Sequence, residues 1–276
     1  MAEPLLQRRE GAVLVLSNNN PAARNALSPA FYAALTEALA QAEADPAVGA
    51  IVLTGEGGHF CAGGDLRQLA KRRELPVEER RAKLEGLHDL IRAVRDCRKP
   101  VIAAVEGAAA GAGLSMALAC DMLVAARDAV FSVAYVKVGL TPDGGATAFL
   151  AEFVSRQVLT ELCLTGERVS GERLHALGPV NRLAEPGQAL AQALALAAQV
   201  AAGPELAMAR IKTLCRSAHA NTLEEQLELE AQFMVQSQET EESREGMGAF
   251  LEKRPADFAR LRQAPATAAT QPDTTK

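Results

Sequence analysis

Three short apolar runs, each closed by a loop containing Gly or Asn and each followed by a helical pattern, constrain this chain more than any other feature. They are AVLVLS from Ala12, GAIVLTG from Gly49 and PVIAAVEG from Pro100. Runs of this length rich in Val, Ile and Leu read as strands, and strands separated by helices are joined by crossovers, which makes them parallel. Their recurrence at about 40 to 50 residues fits a coiled array of strand-helix units.

The helices between the runs mark their own ends. Ser28 and Pro29 supply an N-cap and a first-turn proline, and Phe31, Leu35 and Leu39 follow on one face. After Pro76, Leu84, Leu87, Ile91 and Val94 recur at helical spacing until Pro100 stops the pattern. Lys71 to Arg81 is a charged stretch that reads as a solvated, mobile segment. From about Ser170 the texture becomes almost continuous helix, and Thr222 with Glu225 forms a capping box ahead of a stripe of Leu223, Leu227, Ala231 and Met234. These apolar faces exceed what one short bundle needs, so they are expected to pack on the main body or on another subunit. From Pro265 onward no apolar pattern remains, which predicts a disordered tail.

Composition removes several function classes. A chain of 276 residues has room for one large domain, or a domain with a smaller appendage, and 49% hydrophobic with 23% charged residues is globular usage. The 34 acidic and 29 basic residues give a net charge of −5 without a Lys/Arg block, which argues against nucleic acid. Five cysteines form no C-x-x-C pair and read as reduced, buried thiols of a cytoplasmic protein. The early run AVLVL is too short for a signal peptide core, and Val101 to Cys120 is interrupted by Glu106, Ser115 and three glycines, so no membrane span is expected. The histidines at 59, 88, 175 and 219 share no metal-ligand spacing, and no metal is expected. GEGG and GAAAGAG lack G-K-[ST] and do not complete G-x-G-x-x-G, so nucleotide sites are not expected either.

Two stretches carry the chemistry. HFCAGGDL, His59 to Leu66, and VEGAAAGAGLSMALACD, Val105 to Asp121, both leave a strand through small residues and run into a helix. The first N–H groups of such helices lack intrahelical partners, so a ligand carbonyl could approach two main-chain donors, the requirement of an oxyanion hole. Small residues serve tight strand-helix packing equally well, and the spacing alone leaves both readings open. Asp65 reads as a helix cap, Asp143 in GLTPDGG as a turn residue, and His59 as a solvated loop residue. Gly113 to Ala117, GLSMA, is close to a G-x-S-x-G nucleophile elbow with His175 and His219 available later, but an Ala/Gly turn intervenes between the strand and Ser115.

NPAARNALS, GGHFCAGGDL, VEGAAAGAGLSMALACDMLVAA and VGLTPDGG, in this order with GMGAFLEKR near the end, resemble the crotonase, or enoyl-CoA hydratase/isomerase, family over roughly residues 5 to 260. The resemblance implies an α/β fold, the crotonase-like (ClpP/crotonase) spiral of ββα units, over residues 1–198. A helical C-terminal subdomain over 199–262 would serve oligomerisation and approach coenzyme A, and 263–276 would be the tail. It further implies a homotrimer or dimer of trimers, an acyl-CoA thioester substrate and no cofactor beyond the coenzyme A of that substrate.

Carried onto this chain, the thioester donors are Gly64 and Ala112. Arg24, Ala26, Ala62, Asp65, Leu66, Ala108 and Pro142 border the substrate or its coenzyme A, and Phe250 and Lys253 fall in the CoA-proximal segment. The positions of the two hydratase glutamates are occupied by Ser115 and Tyr135, neither a carboxylate. Serine does not titrate near neutrality and tyrosine does so at about 10, so neither readily replaces a glutamate base. Asp143 remains as acid/base, with Tyr135 as a pocket donor. The resemblance therefore implies enoyl-CoA double-bond isomerisation by a single carboxylate. The alternatives are enoyl-CoA hydration, of a ring-derived substrate for example, hydrolysis in aromatic degradation, and non-catalytic acyl-CoA binding.

Overall fold

Strand β1 (Leu5–Glu10) turns at Gly11 into β2 (Val13–Asn18), and this hairpin is the only antiparallel pair of the main sheet among the described residues. The computed structural model describes residues 3–263. Every further strand joins the main sheet in parallel: β3 (Ala50–Gly55), β4 (Val101–Val105), β6 (Met122–Ala126) and β9 (Arg182–Ala184), in the order β1-β2-β3-β4-β6-β9. A second sheet is built from β5 (Ala108–Ala110), β7 (Val130–Ser132) and β8 (Val169–Ser170), in the order β5-β7-β8. After both β4 and β6 the chain steps within a few residues into the second sheet, which gives the repeated ββα turns of the expected spiral.

The helices fill the crossovers. Between β2 and β3 runs α1 (Pro29–Ala44); its Ser28 cap accepts from the Phe31 N–H at 3.2 Å, a contact worth about 1 kcal/mol. Its stripe of Phe31, Leu35, Ala38, Leu39 and Ala42 is buried. Helices α2 (Leu66–Arg72) and α3 (Val77–Asp96) precede β4, and α4 (Ala112–Leu118) separates β5 from β6. Helices α5 (Ala146–Ala151) and α6 (Arg156–Thr165) lead to β8, and α7 (Gly171–Ala176) leads to β9. The stretch Lys71 to Arg81 is the exposed junction of α2 and α3.

One face of the main sheet packs on α1, α3 and α4, with Leu16, Phe31, Leu53, Ile91 and Met116 in its core. The other face is covered by α8 (Ala189–Ala201), whose Ala189, Ala193, Ala197 and Ala201 recur every turn and are all buried against Val15, Val52, Ile102 and Val124. Alanine at the contact lets the helix axis approach the sheet closely. This corrects the expected boundary at residue 198: the core continues through Ala201, because the alanine stripe belongs to the sheet. The near-continuous helix read from Ser170 is likewise interrupted by β9, a strand too short to show a period.

Beyond Pro204 lie α9 (Glu205–Ser217), α10 (Leu223–Gln238), α11 (Glu241–Leu251) and α12 (Phe258–Gln263). Helices α9 and α10 contain no buried residue and are attached largely by polar contacts. The Lys212 ammonium donates to the carbonyls of Cys97 and Lys99 at 2.6 and 2.8 Å and pairs with Asp121 at 2.6 Å. Buried Lys99 pairs with Glu205 at 2.7 Å, and Glu242 accepts from the N–H groups of Leu206 and Ala207. Deleting one partner of a buried pair strands the other charge at a cost of about 3 to 5 kcal/mol. The capping box of Thr222 and Glu225 is present, but Leu223, Leu227 and Met234 are exposed, so the α10 stripe does not pack on its own body. The expected tail lies outside the described residues except Gln263, which ends α12.

Candidate active site

The stretch Phe60 to Gly64 runs as a strap between two neighbours. On one side Phe60 donates to the Glu106 carbonyl at 3.0 Å, Cys61 to that of Ala108 at 2.9 Å, and Ala110 donates back to Cys61 at 3.0 Å. On the other, Ala62 donates to the Arg24 carbonyl at 2.9 Å and Leu27 to that of Gly63 at 2.8 Å. The loop that receives it is fixed by Asn25, buried in left-handed backbone, whose amide donates to the carbonyls of Glu56 and His59 at 2.8 and 2.6 Å.

The small residues divide two duties. Gly63 has φ +90°, and a Cβ there would lie 2.6 Å from the Ala110 carbonyl oxygen and 3.5 Å from the Ala112 nitrogen. A Cβ on Gly113 would lie 2.4 Å from the Cys61 carbonyl oxygen. These two glycines let the two turns touch. Gly64 and Ala112 are left with main-chain N–H groups that find no acceptor among the described residues, and both line one cleft of about 720 Å³. Ala112 is the first residue of α4, where no intrahelical acceptor exists. Tight packing and a donor pair are therefore both present, on adjacent residues.

Asp143 lines the same cleft and is held by residues distant in sequence. The Tyr135 hydroxyl donates to its Oδ1 at 2.7 Å, and the Ser115 hydroxyl donates to its backbone carbonyl at 3.0 Å. Burial pushes the Asp143 carboxyl above its ordinary range, against the hydrogen bond from Tyr135 and the charges of His88 and Arg72. Burial and then the Asp143 charge push the Tyr135 phenol well above 10, so it stays protonated as a donor. Ser115 and Tyr135, which the family resemblance sets at the hydratase glutamate positions, thus frame a carboxylate instead of supplying one.

Of the other sequence-predicted residues, Ala62, Asp65, Leu66 and Pro142 also line the cleft. Asp65 is the N-cap of α2, accepting from the Arg67 N–H at 2.8 Å. Arg24, Ala26 and Ala108 do not line the cleft: the first is exposed and supplies the carbonyl for Ala62, the second is buried, and the carbonyl of the third accepts from Cys61. Phe250, 83% exposed, and Lys253 do not reach the cleft of their own chain. The structure agrees with setting the nucleophile elbow aside: Ser115 is buried in α4 with its hydroxyl on the Asp143 carbonyl, and the His175 Nδ1 contacts the Val180 carbonyl at 2.6 Å. His59 is not merely solvated, since its Nδ1 accepts from the Ala108 N–H at 3.2 Å.

Sequence reasoning missed Tyr32. The chain has two tyrosines, and both line this cleft. Burial pushes the Tyr32 phenol up to about 12, the Arg72 charge pulls it down, and the Asp143 charge raises it. The signal was weak: Tyr32 follows Phe31 on α1 and lies just off its apolar stripe.

The family model for enoyl-CoA hydratase/isomerase matches residues 8–261. The chain belongs to that family. It is 36% identical over 259 residues to the 1,2-epoxyphenylacetyl-CoA isomerase of Escherichia coli strain K12, covering 94% of this chain and 99% of that protein. It is 33% identical over 255 residues to the 2,3-dehydroadipyl-CoA hydratase of the same organism, covering 92% and 98%. The crystal structure of an enoyl-CoA hydratase from Polaromonas sp. JS666 superposes with a TM-score of 0.90 at 47% identity, covering 92% of this chain and 98% of the other. A crotonase-like fold and acyl-CoA processing are thereby shown for this enoyl-CoA hydratase/isomerase family member.

Proposed function

We propose that this protein moves a double bond along an unsaturated acyl-CoA. The observation that carries the reading is the carboxylate inventory of the cleft: Asp65 caps a helix, which leaves Asp143 as the one acid beside the free amides of Gly64 and Ala112 among the described residues. Addition of water by the two-glutamate route lacks both of its acids here.

In the proposed step the thioester oxygen of a 3-enoyl-CoA accepts from the Gly64 and Ala112 N–H groups. The Asp143 carboxylate removes a proton from the α carbon. The released electron pair moves through the carbonyl, and the negative charge settles on the oxygen facing the two amides. Each donor of this kind is worth about 3 to 4 kcal/mol of barrier. Protonated Asp143 then returns the proton to the γ carbon, giving the 2-enoyl-CoA with all atoms retained. A carboxyl raised above its ordinary value suits traffic in both directions, because acid and base forms approach equal cost. Tyr135 keeps one carboxylate oxygen occupied, leaving the other for the carbon acid.

The relative named 1,2-epoxyphenylacetyl-CoA isomerase supports an isomerase reading, and the relatives named hydratases keep water addition as the rival. A panel of 3-enoyl and 2-enoyl thioesters with product identification decides. Conversion of 3-enoyl to 2-enoyl that depends on Asp143 is expected; a 3-hydroxyacyl product from 2-enoyl-CoA establishes hydration instead, and binding without turnover establishes a binding protein. The exposed stripe of α10, together with Phe250, supports assembly into trimers or pairs of trimers in which Phe250 and Lys253 approach coenzyme A. Native mass spectrometry reads the subunit number, and a monomer would reject the assembly.

A further inference from the structure

The cleft carries a charge pattern that double-bond migration does not use. Arg72, Arg73, Arg80, Lys83 and Lys137 all line it, against two acids, Asp65 and Asp143, in a chain whose net charge is −5. None of these five cations makes an ion pair or donates a side-chain hydrogen bond among the described residues. Arginines elsewhere on α3 behave differently: Arg92 pairs with Glu85 and Asp89, and Arg95 with Asp96. Glu74, Glu78 and Glu79 stand between the cleft cations in sequence and leave them unpaired. Unneutralised cations around a concave, largely apolar space favour an anionic group there.

Arg72 lines the cleft with Tyr32 and Asp143 and its charge acts on both, so it stands with the acid that takes the proton from the α carbon. The phosphates of coenzyme A sit a whole pantetheine arm away from that carbon. Tyr32 lines the same space and its hydroxyl makes no hydrogen bond to a described residue, which adds a neutral donor near the cations.

We propose that the preferred substrate is an acyl-CoA whose acyl chain ends in a second carboxylate, received by Arg72 and the cationic rim of α2 and α3. The inference rests on the acyl-CoA reading above and names the class of acyl group. A charge-assisted contact of this type changes binding by about 10- to 100-fold.

The experiment compares kcat/KM for two matched enoyl thioesters, one ending in a methyl group and one in a carboxylate, each made as the coenzyme A and as the phosphate-free N-acetylcysteamine thioester. The expected result is a preference for the carboxylate of about 10- to 100-fold in both thioester series, weakened by salt and cut about 10-fold in Arg72→Gln and Arg80→Gln. Arg81→Gln, outside the cleft, leaves the ratio unchanged. If the variants weaken both coenzyme A substrates equally and spare the phosphate-free pair, the cations serve the phosphates and the proposal fails. It also fails if no preference exists. Thermal shift with the saturated pair of acyl-CoAs reads the same preference without turnover, so a protein that prefers the carboxylate yet moves no double bond sinks the isomerase reading and keeps this one.

Discussion

The two walls of the cleft are built on opposite principles. One wall, from Gly111 through α4 to the Tyr135–Asp143 contact, is packed and hydrogen-bonded: Ala112 is 4% exposed and Ser115 is fully buried. The other, from Leu66 to Lys83, has no buried residue in α2, leaves Leu66 56% exposed and carries cations without partners. The difference teaches where each task resides. Groups that must hold angstrom geometry on a developing charge are fixed from behind by a second layer, whereas groups that sort substrates stand on a surface free to vary.

If that division is right, substitutions on the packed wall abolish chemistry and substitutions on the open wall only shift preference. The largest effect is expected for Asp143→Asn, about 10³-fold in kcat on a 3-enoyl-CoA with binding retained, read by steady-state kinetics and thermal shift. Its stability signature has the opposite sign. A carboxyl whose folded pKa is raised contributes stability that is full below the unfolded value and lost as pH rises through the folded one, so the wild type loses that increment across this window and the Asn variant does not.

Next comes Gly63→Ala, which forces a Cβ to within 2.6 Å of the Ala110 oxygen in left-handed backbone. A loss of about 1 to 3 kcal/mol in urea unfolding and roughly 10²-fold in kcat/KM is expected. An unchanged protein would show that the two turns need not touch. Tyr135→Phe should cost about tenfold and, because its hydrogen bond lowers the Asp143 pKa, should move the acid limb of the pH profile upward. A limb that moves down or stays in place removes Tyr135 from its positioning role. The smallest effect belongs to the open wall: Gln68→Ala should change stability by less than about 0.5 kcal/mol in the same urea assay. A larger loss would mean that this wall is packed after all.

How much of this was legible in the sequence follows the range of the interactions. Val13–Asn18, Ala50–Gly55 and Val101–Val105 announced themselves as strands because their apolar character is local, and Ser28 and Thr222 announced helices because a cap is local. The amides of Gly64 and Ala112 were found through motif order, and Asp143 through a departure from the family pattern. What Ser115 and Tyr135 do for Asp143 was not readable, since both contacts cross a gap in sequence that only the fold closes. Tyr32 and Arg72 escaped for the same reason: one is an ordinary aromatic on α1, the other one charge in a charged stretch, until the cleft brings them together. The alanine stripe of α8 read as generic helix because its partner is a sheet formed much earlier in the chain.

The central claim is that one carboxylate carries the proton while two main-chain amides hold the charge it leaves behind. Proton NMR of a 3-enoyl-CoA incubated with the enzyme in deuterium oxide tests it directly. The account predicts 2-enoyl product with exchange at the α carbon, both lost in Asp143→Asn. Exchange that survives in the Asn variant, or a wild-type product bearing a hydroxyl at the third carbon, would contradict it.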